Sequence, residues 1–364
     1  MKCVVLTGIT GSERRLYLES LKNVVKEPER LLIIDPWAKT QQLHPCVNEA
    51  TILNIPDEDR IAYFKDAYEE ITKEIENLRK YPNSVVAVVP AHSVFYWKSG
   101  FKDAINDEFI EWLSPDLFVT VISNMQTVKN NLAKDSLSRF PEFTFPEIIN
   151  WRERELQSTN RWAKMYKKQH IIVSSVEPVA TLYGILFTER KRIYFSYPMS
   201  HVSSLEMKRA KKLIGKLRNL NYIVFDPGSI DDTRYIGELY EKLKQDDLIA
   251  KNELSHVASM VGNHTVELDY RLIEQSDMVV VRYPSVQYGK YIGEGDKAVP
   301  SVYIPLSAGV ICEMVKGFRD GKEVLAAWLP KVEPSPFFKY HCLKLFTSER
   351  DLLDYLVKKD HPTK

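Results

Sequence analysis

Two stretches of the chain carry residue types at spacings that could do chemistry. In Ser307-Ala308-Gly309-Val310-Ile311-Cys312-Glu313, a carboxylate lies four residues after a glycine and six after a serine. The residues that follow, through Gly321-Lys322 and the apolar run 324–329, predict a helix capped by Ser307 and ended at Gly321, set between two strands. Gly309 leaves the first turn without a side chain, so bare backbone N–H groups there could meet an anion. Periodicity sets Glu313 on the side of Gly309, away from the apolar stripe Val310, Ile311, Met314, Val315 and Phe318, where a carboxylate is ordinarily solvated. In the second stretch, Gly8-Ile9-Thr10-Gly11-Ser12-Glu13-Arg14-Arg15 follows a strand at 2–7 and opens a helix, the order that cradles phosphate. Aligned on G-x-x-x-x-G-K-[ST], the second glycine is Glu13, the lysine is Arg14 and the magnesium-binding hydroxyl is Arg15. A carboxylate stands where phosphate would sit, so an ordinary kinase loop is not expected. Gly8, Gly11, Ser12 and Arg14 are left as an altered phosphate site.

These residues must be positioned by elements that the apolar pattern outlines. The runs 31–35, 85–89 and 117–122 are continuously apolar, as buried parallel strands are, and 171–173 can close the same sheet. A charged amphipathic helix spans 57–80. From residue 192 the alternation resumes: strand 192–197, helix 204–220, strand 222–225, a mostly helical insertion 228–275, strands 277–283, 323–329 and 341–346, and a closing helix 348–358. The fold class is α/β, with two doubly wound parallel-sheet domains expected at 1–180 and 190–364. Ligands in such sheets bind beyond the carboxyl ends of the strands where the order switches. The loop 197–204 falls there, and its Tyr197, Ser200 and Ser203 suit phosphate binding, while Ser203 or Ser204 equally suits a helix cap. The glycine-punctuated segment 285–297 is expected to be a loop, either an ordinary surface one or a flap over the site.

The 364 residues, 44% hydrophobic and 27% charged with a net charge of +1, describe an ordinary globular chain with no strong nucleic-acid or membrane signal. Cys3, Cys46, Cys312 and Cys342 form no C-x-x-C and no zinc spacing, which predicts reduced, mostly buried thiols. With no apolar leader and no run of membrane-spanning length, the cytoplasm is expected.

The stretch 307–313 resembles the S-x-G-V-x-x-E segment of the nucleoside 2-deoxyribosyltransferase superfamily, particularly its nucleoside 5′-monophosphate N-glycosidases. The resemblance extends to Gly321-Lys322 before a strand, to the opening Ile193-Tyr194-Phe195, and to Asp269, eight residues before Asp277. It implies a flavodoxin-like domain in which Glu313 attacks the anomeric carbon, Tyr194 holds Glu313, and Asp269 supplies or relays a proton to the base. Ser307 stands where transferases of free nucleosides usually carry aspartate, which favours a nucleotide over a nucleoside substrate because a carboxylate would repel a 5′-phosphate. The glycines and the arginine of the family's phosphate loop are absent from 197–204. Residues 1–175 are similar to archaeal adenylate kinases through Ala91-His92-Ser93, Lys98-Ser99-Gly100-Phe101, Leu113-Ser114-Pro115-Asp116 and a helix at 147–168. Together the resemblances imply a nucleotide N-glycosidase, with a deoxyribosyltransferase or a non-catalytic nucleotide-binding regulator as alternatives. No cofactor or metal is expected. The partner is a small-molecule nucleotide or nucleoside, and because the resembled family commonly completes its sites across a dimer interface, a homodimer is left open.

Overall fold

The computed structural model describes residues 1–48, 51–80, 85–98, 100–134, 143–199, 202–232, 248–285, 287–292, 299–303 and 307–360. Its contacts divide the chain into two compact units, Met1–Thr188 with Ser229–Thr265, and Glu189–Gly228 with Val266–Lys364.

In the first unit, strands β1 (Lys2–Thr7), β2 (Leu31–Ile33), β3 (Val86–Pro90), β6 (Leu117–Ile122) and β7 (Gln169–Ser174) form a sheet in the order β2-β3-β1-β6-β7. Every pairing is parallel. A separate antiparallel pair, β4 (Val94–Trp97) and β5 (Gly100–Asp103), carries the stretch around Lys98. The helices are α1 (Arg14–Lys22), α2 (Pro36–Leu43), α3 (Asp57–Arg79), α4 (Asp107–Leu113), α5 (Met125–Lys134), α6 (Phe145–Met165) and α7 (Val179–Phe187). The apolar runs became central strands because both faces of a parallel sheet are covered: β1 and β6 are buried over nearly their whole length. Helix α6 starts ahead of the expected 147, because Thr144 and Glu147 form a reciprocal capping box. The strand order turns back on itself at β1, so the Gly8 loop leaves β1 at the switch point of the sheet.

The second unit contains β8 (Arg192–Ser196), β9 (Ile223–Phe225), β10 (Met278–Tyr283), β13 (Glu323–Trp328) and β14 (Lys344–Phe346) in the order β14-β13-β10-β8-β9, again all parallel. Its switch point lies between β8 and β10. Strands β11 (Gln287–Ile292) and β12 (Val299–Tyr303) pair antiparallel, where a loop was expected over 285–297. The side chains of Tyr288 and Tyr291 lie outside the described residues. Helices α8 (Ser204–Asn219), α9 (Leu248–Glu274), α10 (Ala308–Arg319), α11 (Pro336–Tyr340) and α12 (Glu349–Asp360) complete the described elements. The short helix α11, capped by Ser335 with Pro336 at its start, takes residues just ahead of the expected strand 341–346 and leaves a strand only over Lys344–Phe346.

Among the described residues no helix is long and apolar enough to cross a membrane. The four cysteines are unpaired, but only Cys3 is buried, and Cys46 and Cys312 are exposed, against the expectation of mostly buried thiols.

Candidate active site

The placement of Glu313 corrects its sequence assignment. The buried face of α10 is Val310, Glu313, Met314 and Gly317, while Phe318 is 43% exposed. Gly317 is the cause: a Cβ there would fall 2.6 Å from Val279 Cγ2, so the helix meets the sheet along its glycine and the contact face rotates toward Glu313. Helix α10 packs on β8, β10 and β13, and Glu313 is 9% exposed.

Strand alternation aims Tyr194 and Ser196 to one face of β8, since they are two residues apart. Ser196, fully buried, donates its hydroxyl to Glu313 Oε2 at 2.5 Å. Sequence reading missed this residue, although its spacing from Tyr194 was there to be used. The Tyr194 phenol, also fully buried, approaches Glu313 and Asp269 without reaching hydrogen-bond geometry to either. Burial above all, and then these two carboxylates, push its pKa far up, so it stands as a neutral O–H. Burial also raises the pKa of Glu313, opposed by the hydroxyls of Ser196 and then Tyr194. The structure thus gathers Glu313, Tyr194 and Asp269, from α10, β8 and α9, beside the switch point. Tyr270 lies near enough to Glu313 and Cys312 for both to disfavour its ionisation, after burial.

Ser307 caps α10, its Oγ accepting from Val310 N–H at 3.3 Å, while its own N–H donates to Tyr283 OH at 3.3 Å. Gly309 is exposed, and among the described residues a Cβ there would meet only Glu313 Oε1 and Ser307 Oγ, each at 3.9 Å. The missing side chain therefore opens the approach to one specific oxygen of Glu313.

Residues of the 197–204 loop are differently engaged. Tyr197 is buried and donates its hydroxyl to Asp226 Oδ1 at 3.0 Å, and the same aspartate takes Lys211 Nζ and Gly228 N–H. Ser203 caps α8 through Glu206 N–H at 3.3 Å. Ser200 lies outside the described residues.

In the first unit the glycine loop is filled from within. Gly8 has no room for a side chain, since a Cβ would fall 2.6 Å from Val121 O, and Gly11 holds a left-handed φ of 83°. The N–H of Gly8 donates to Glu155 Oε1 at 2.9 Å. Glu155, 1% exposed, also takes Ser93 N–H, Val94 N–H and, at 2.6 Å, Ser93 Oγ. Arg14 turns inward to Gly8 O, Ala91 O and His92 Nε2, the last at 3.2 Å. Burial, then the Arg14 cation, lower the pKa of His92 well below its ordinary value, so the imidazole is neutral and accepts from Arg14. The Ser12 hydroxyl is buried without a partner. Glu13, left-handed at φ 61°, accepts from Ser175 Oγ at 3.1 Å. A protein carboxylate thus takes the Gly8 N–H of the loop, and Arg14 is turned onto backbone carbonyls and His92. Beside the loop lies a cavity of about 450 Å³, with Arg14, Trp37, Tyr68 and His92 among its walls. Glu155 was legible only as a position on the buried stripe of α6, with Ile148, Arg152, Thr159 and Trp162.

No protein-family model matches the chain, and no curated protein matches it. Solved structures similar to parts of it include a 2-deoxyribosyltransferase from Bacillus psychrosaccharolyticus, 15% identical over 45% of this chain and 91% of that one, with a TM-score of 0.27. The CMP N-glycosidase BcmB of Clostridium botulinum is 14% identical over 46% and 98% of the two chains, at a TM-score of 0.26. A shikimate kinase from Acinetobacter baumannii is 10% identical over 51% and 92%, at 0.33. At these identities and scores the likenesses carry no argument for function, and the reading rests on residues and geometry.

Proposed function

We propose that the second unit is an N-glycosidase cleaving the base–sugar bond of a ribo- or deoxyribonucleoside 5′-monophosphate through Glu313. The observation that carries this reading is a buried carboxylate at the carboxyl end of a parallel sheet, with one oxygen tied to Ser196 and the other facing a helix turn cleared by Gly309. Such a group has the desolvated, oriented character of a nucleophile.

Glu313 attacks C1′ as the C1′–N bond breaks, and the bond's electron pair leaves with the base. Asp269 supplies or relays the proton that the departing base takes up. Water then adds to C1′ from the vacated face, giving its proton to the Asp269 carboxylate and releasing Glu313, so that configuration is retained over two displacements. Tyr194, kept neutral by its surroundings, borders Glu313 and Asp269 and is assigned to orient Glu313. Ser307 still has a proton to donate while its oxygen caps Val310, and with the start of α10 it suits the 5′-phosphate. Gly309 and Ser203 are assigned to the same phosphate end. The Tyr197 hydroxyl, committed to Asp226, is given no direct contact with substrate. The chemistry calls for no metal or cofactor. The first unit is read as a scaffold or nucleotide sensor, its glycine loop giving the Gly8 N–H to Glu155.

The test is a chromatographic screen for free-base release from ribo- and deoxyribonucleoside monophosphates by wild type and Glu313→Ala. Release that disappears in the variant supports the assignment, and a second free base added to the same reactions separates hydrolysis from transfer. No release from any nucleotide, with binding still measurable, refutes the glycosidase and leaves a nucleotide-binding regulator.

A further inference from the structure

We infer that Ser196 is a positioning residue that makes the two oxygens of Glu313 unequal: it holds Oε2 and leaves Oε1, on the Gly309 side, as the attacking atom. The inference rests on the glycosidase reading and deepens it.

An ionised carboxylate only accepts, so the short Ser196–Glu313 contact has the hydroxyl as donor, and a donor to an anion makes a strong bond. Ser196 sits in a strand paired parallel with β10, opposite Val281, so its Cα is fixed by the sheet and its hydroxyl is aimed by a rigid element. Glutamate brings three rotatable bonds to the site, and a bond to one oxygen fixes the carboxylate plane. The other oxygen is then located by covalent geometry, and a Cβ built on Gly309 places it: Oε1 lies at that opening, 3.9 Å from the empty Cβ position.

The same bond acts on ionisation. Burial favours protonated Glu313, and of the opposing groups Ser196 is the larger and Tyr194 the smaller. The other titratable groups bearing on the site are Asp269 and Tyr270 of α9. Of the strands under α10, β10 brings Arg282, paired with Glu206 and Glu349, and Tyr283, bonded to Ser307 N–H. Strand β13 brings Glu323, paired with Lys359. Cys312 is the helix neighbour. Ser196 therefore does two things a merely space-filling residue would not: it selects the reacting oxygen and favours the charged form of the nucleophile against burial.

The test compares wild type with Ser196→Ala and with Ser196→Cys, which has nearly the same shape but a weaker donor. Base release is measured across pH, and the Glu313 carboxyl is titrated directly by infrared spectroscopy, its band identified by its absence in Glu313→Gln. Expected for Ser196→Ala is a kcat lower by about 10- to 100-fold with KM within about twofold, and an acid limb and carboxyl midpoint moved to higher pH by about one unit. Ser196→Cys falls between, and serves alone should the alanine variant not fold. An unmoved carboxyl midpoint overturns the inference whether or not the protein cleaves nucleotides. A midpoint moved in the variants, with a wild type that releases no base, upholds the hold on Glu313 and refutes the glycosidase reading instead.

Discussion

Replacing Gly309 by alanine is expected to stabilise the protein and disable it at once. Gly309 lies in the first turn of α10, exposed and at an ordinary φ, and among the described residues an added Cβ meets nothing closer than 3.9 Å. Removing a glycine's freedom from the unfolded chain at an unstrained position gains about 0.4–1 kcal/mol, a rise of about 1–4 °C in Tm. The new methyl, however, stands in van der Waals contact with Glu313 Oε1, on the side from which C1′ must come. A near-attack arrangement needs the reacting carbon about 3–3.5 Å from that oxygen, and two carbons packed around one oxygen must themselves stay about 3.5–4 Å apart. A substrate displaced by about 1 Å loses about 100-fold in rate. Thermal unfolding paired with steady-state base release reads both effects on one preparation. Wild-type kcat/KM in a folded Gly309→Ala protein would refute the claim that Oε1 attacks past residue 309.

Two further outcomes follow from buried carboxylates. Because burial raises the folded-state pKa of Glu313, its contribution is fully favourable only below the unfolded glutamate value, about 4.3, and is lost as pH rises through the folded value. Glu313→Gln should therefore be more stable than wild type at pH 7, with the gap closing near pH 4. Urea titrations at the two pH values check this, and equal gaps would contradict the burial argument. Glu155→Ala leaves the N–H groups of Gly8, Ser93 and Val94 without their acceptor, at about 1–3 kcal/mol each. The first unit should lose at least about 3 kcal/mol in the same assay, and a loss under about 1 kcal/mol would show that solvent replaces the carboxylate.

The sheets were legible because strands buried on both faces are written mostly in apolar residues, as in 85–89 and 278–281. Helix starts at Ser203 and Ser307 were legible because a cap is a local bargain between one hydroxyl and one N–H. The face of α10 was not. Counting apolar residues put Phe318 inward, whereas the smallest residue, Gly317, set the line of contact with Val279. Segment 228–275 was taken as an insertion in the second domain, but the described part of Ser229–Thr265 groups with the first unit, where Val261 joins the core around Met125 and Trp151. Long-range packing of this kind leaves no periodic mark in the sequence. Ser196 offered only its two-residue spacing from Tyr194, which sets a shared strand face, while its bond to Glu313 depends on a helix more than a hundred residues away.

The two buried glutamates show how burial alone fails to identify a reactive carboxylate. Glu155 receives donors on both oxygens: Gly8 and Ser93 N–H on Oε1, and Val94 N–H with the Ser93 hydroxyl on Oε2. Every lone pair that could attack is already facing a proton, and the burial penalty on its charge is opposed by those bonds. Such a group is a structural anion, tying the Gly8 N–H to the 93–94 backbone. Glu313 has a hydroxyl on Oε2, while Oε1 faces a position emptied of side chain. Desolvated but incompletely satisfied, it keeps electron density available at one atom, in one direction. Among the described residues, the number of donors on each oxygen separates the fully bonded carboxylate of the first unit from the one proposed to react in the second.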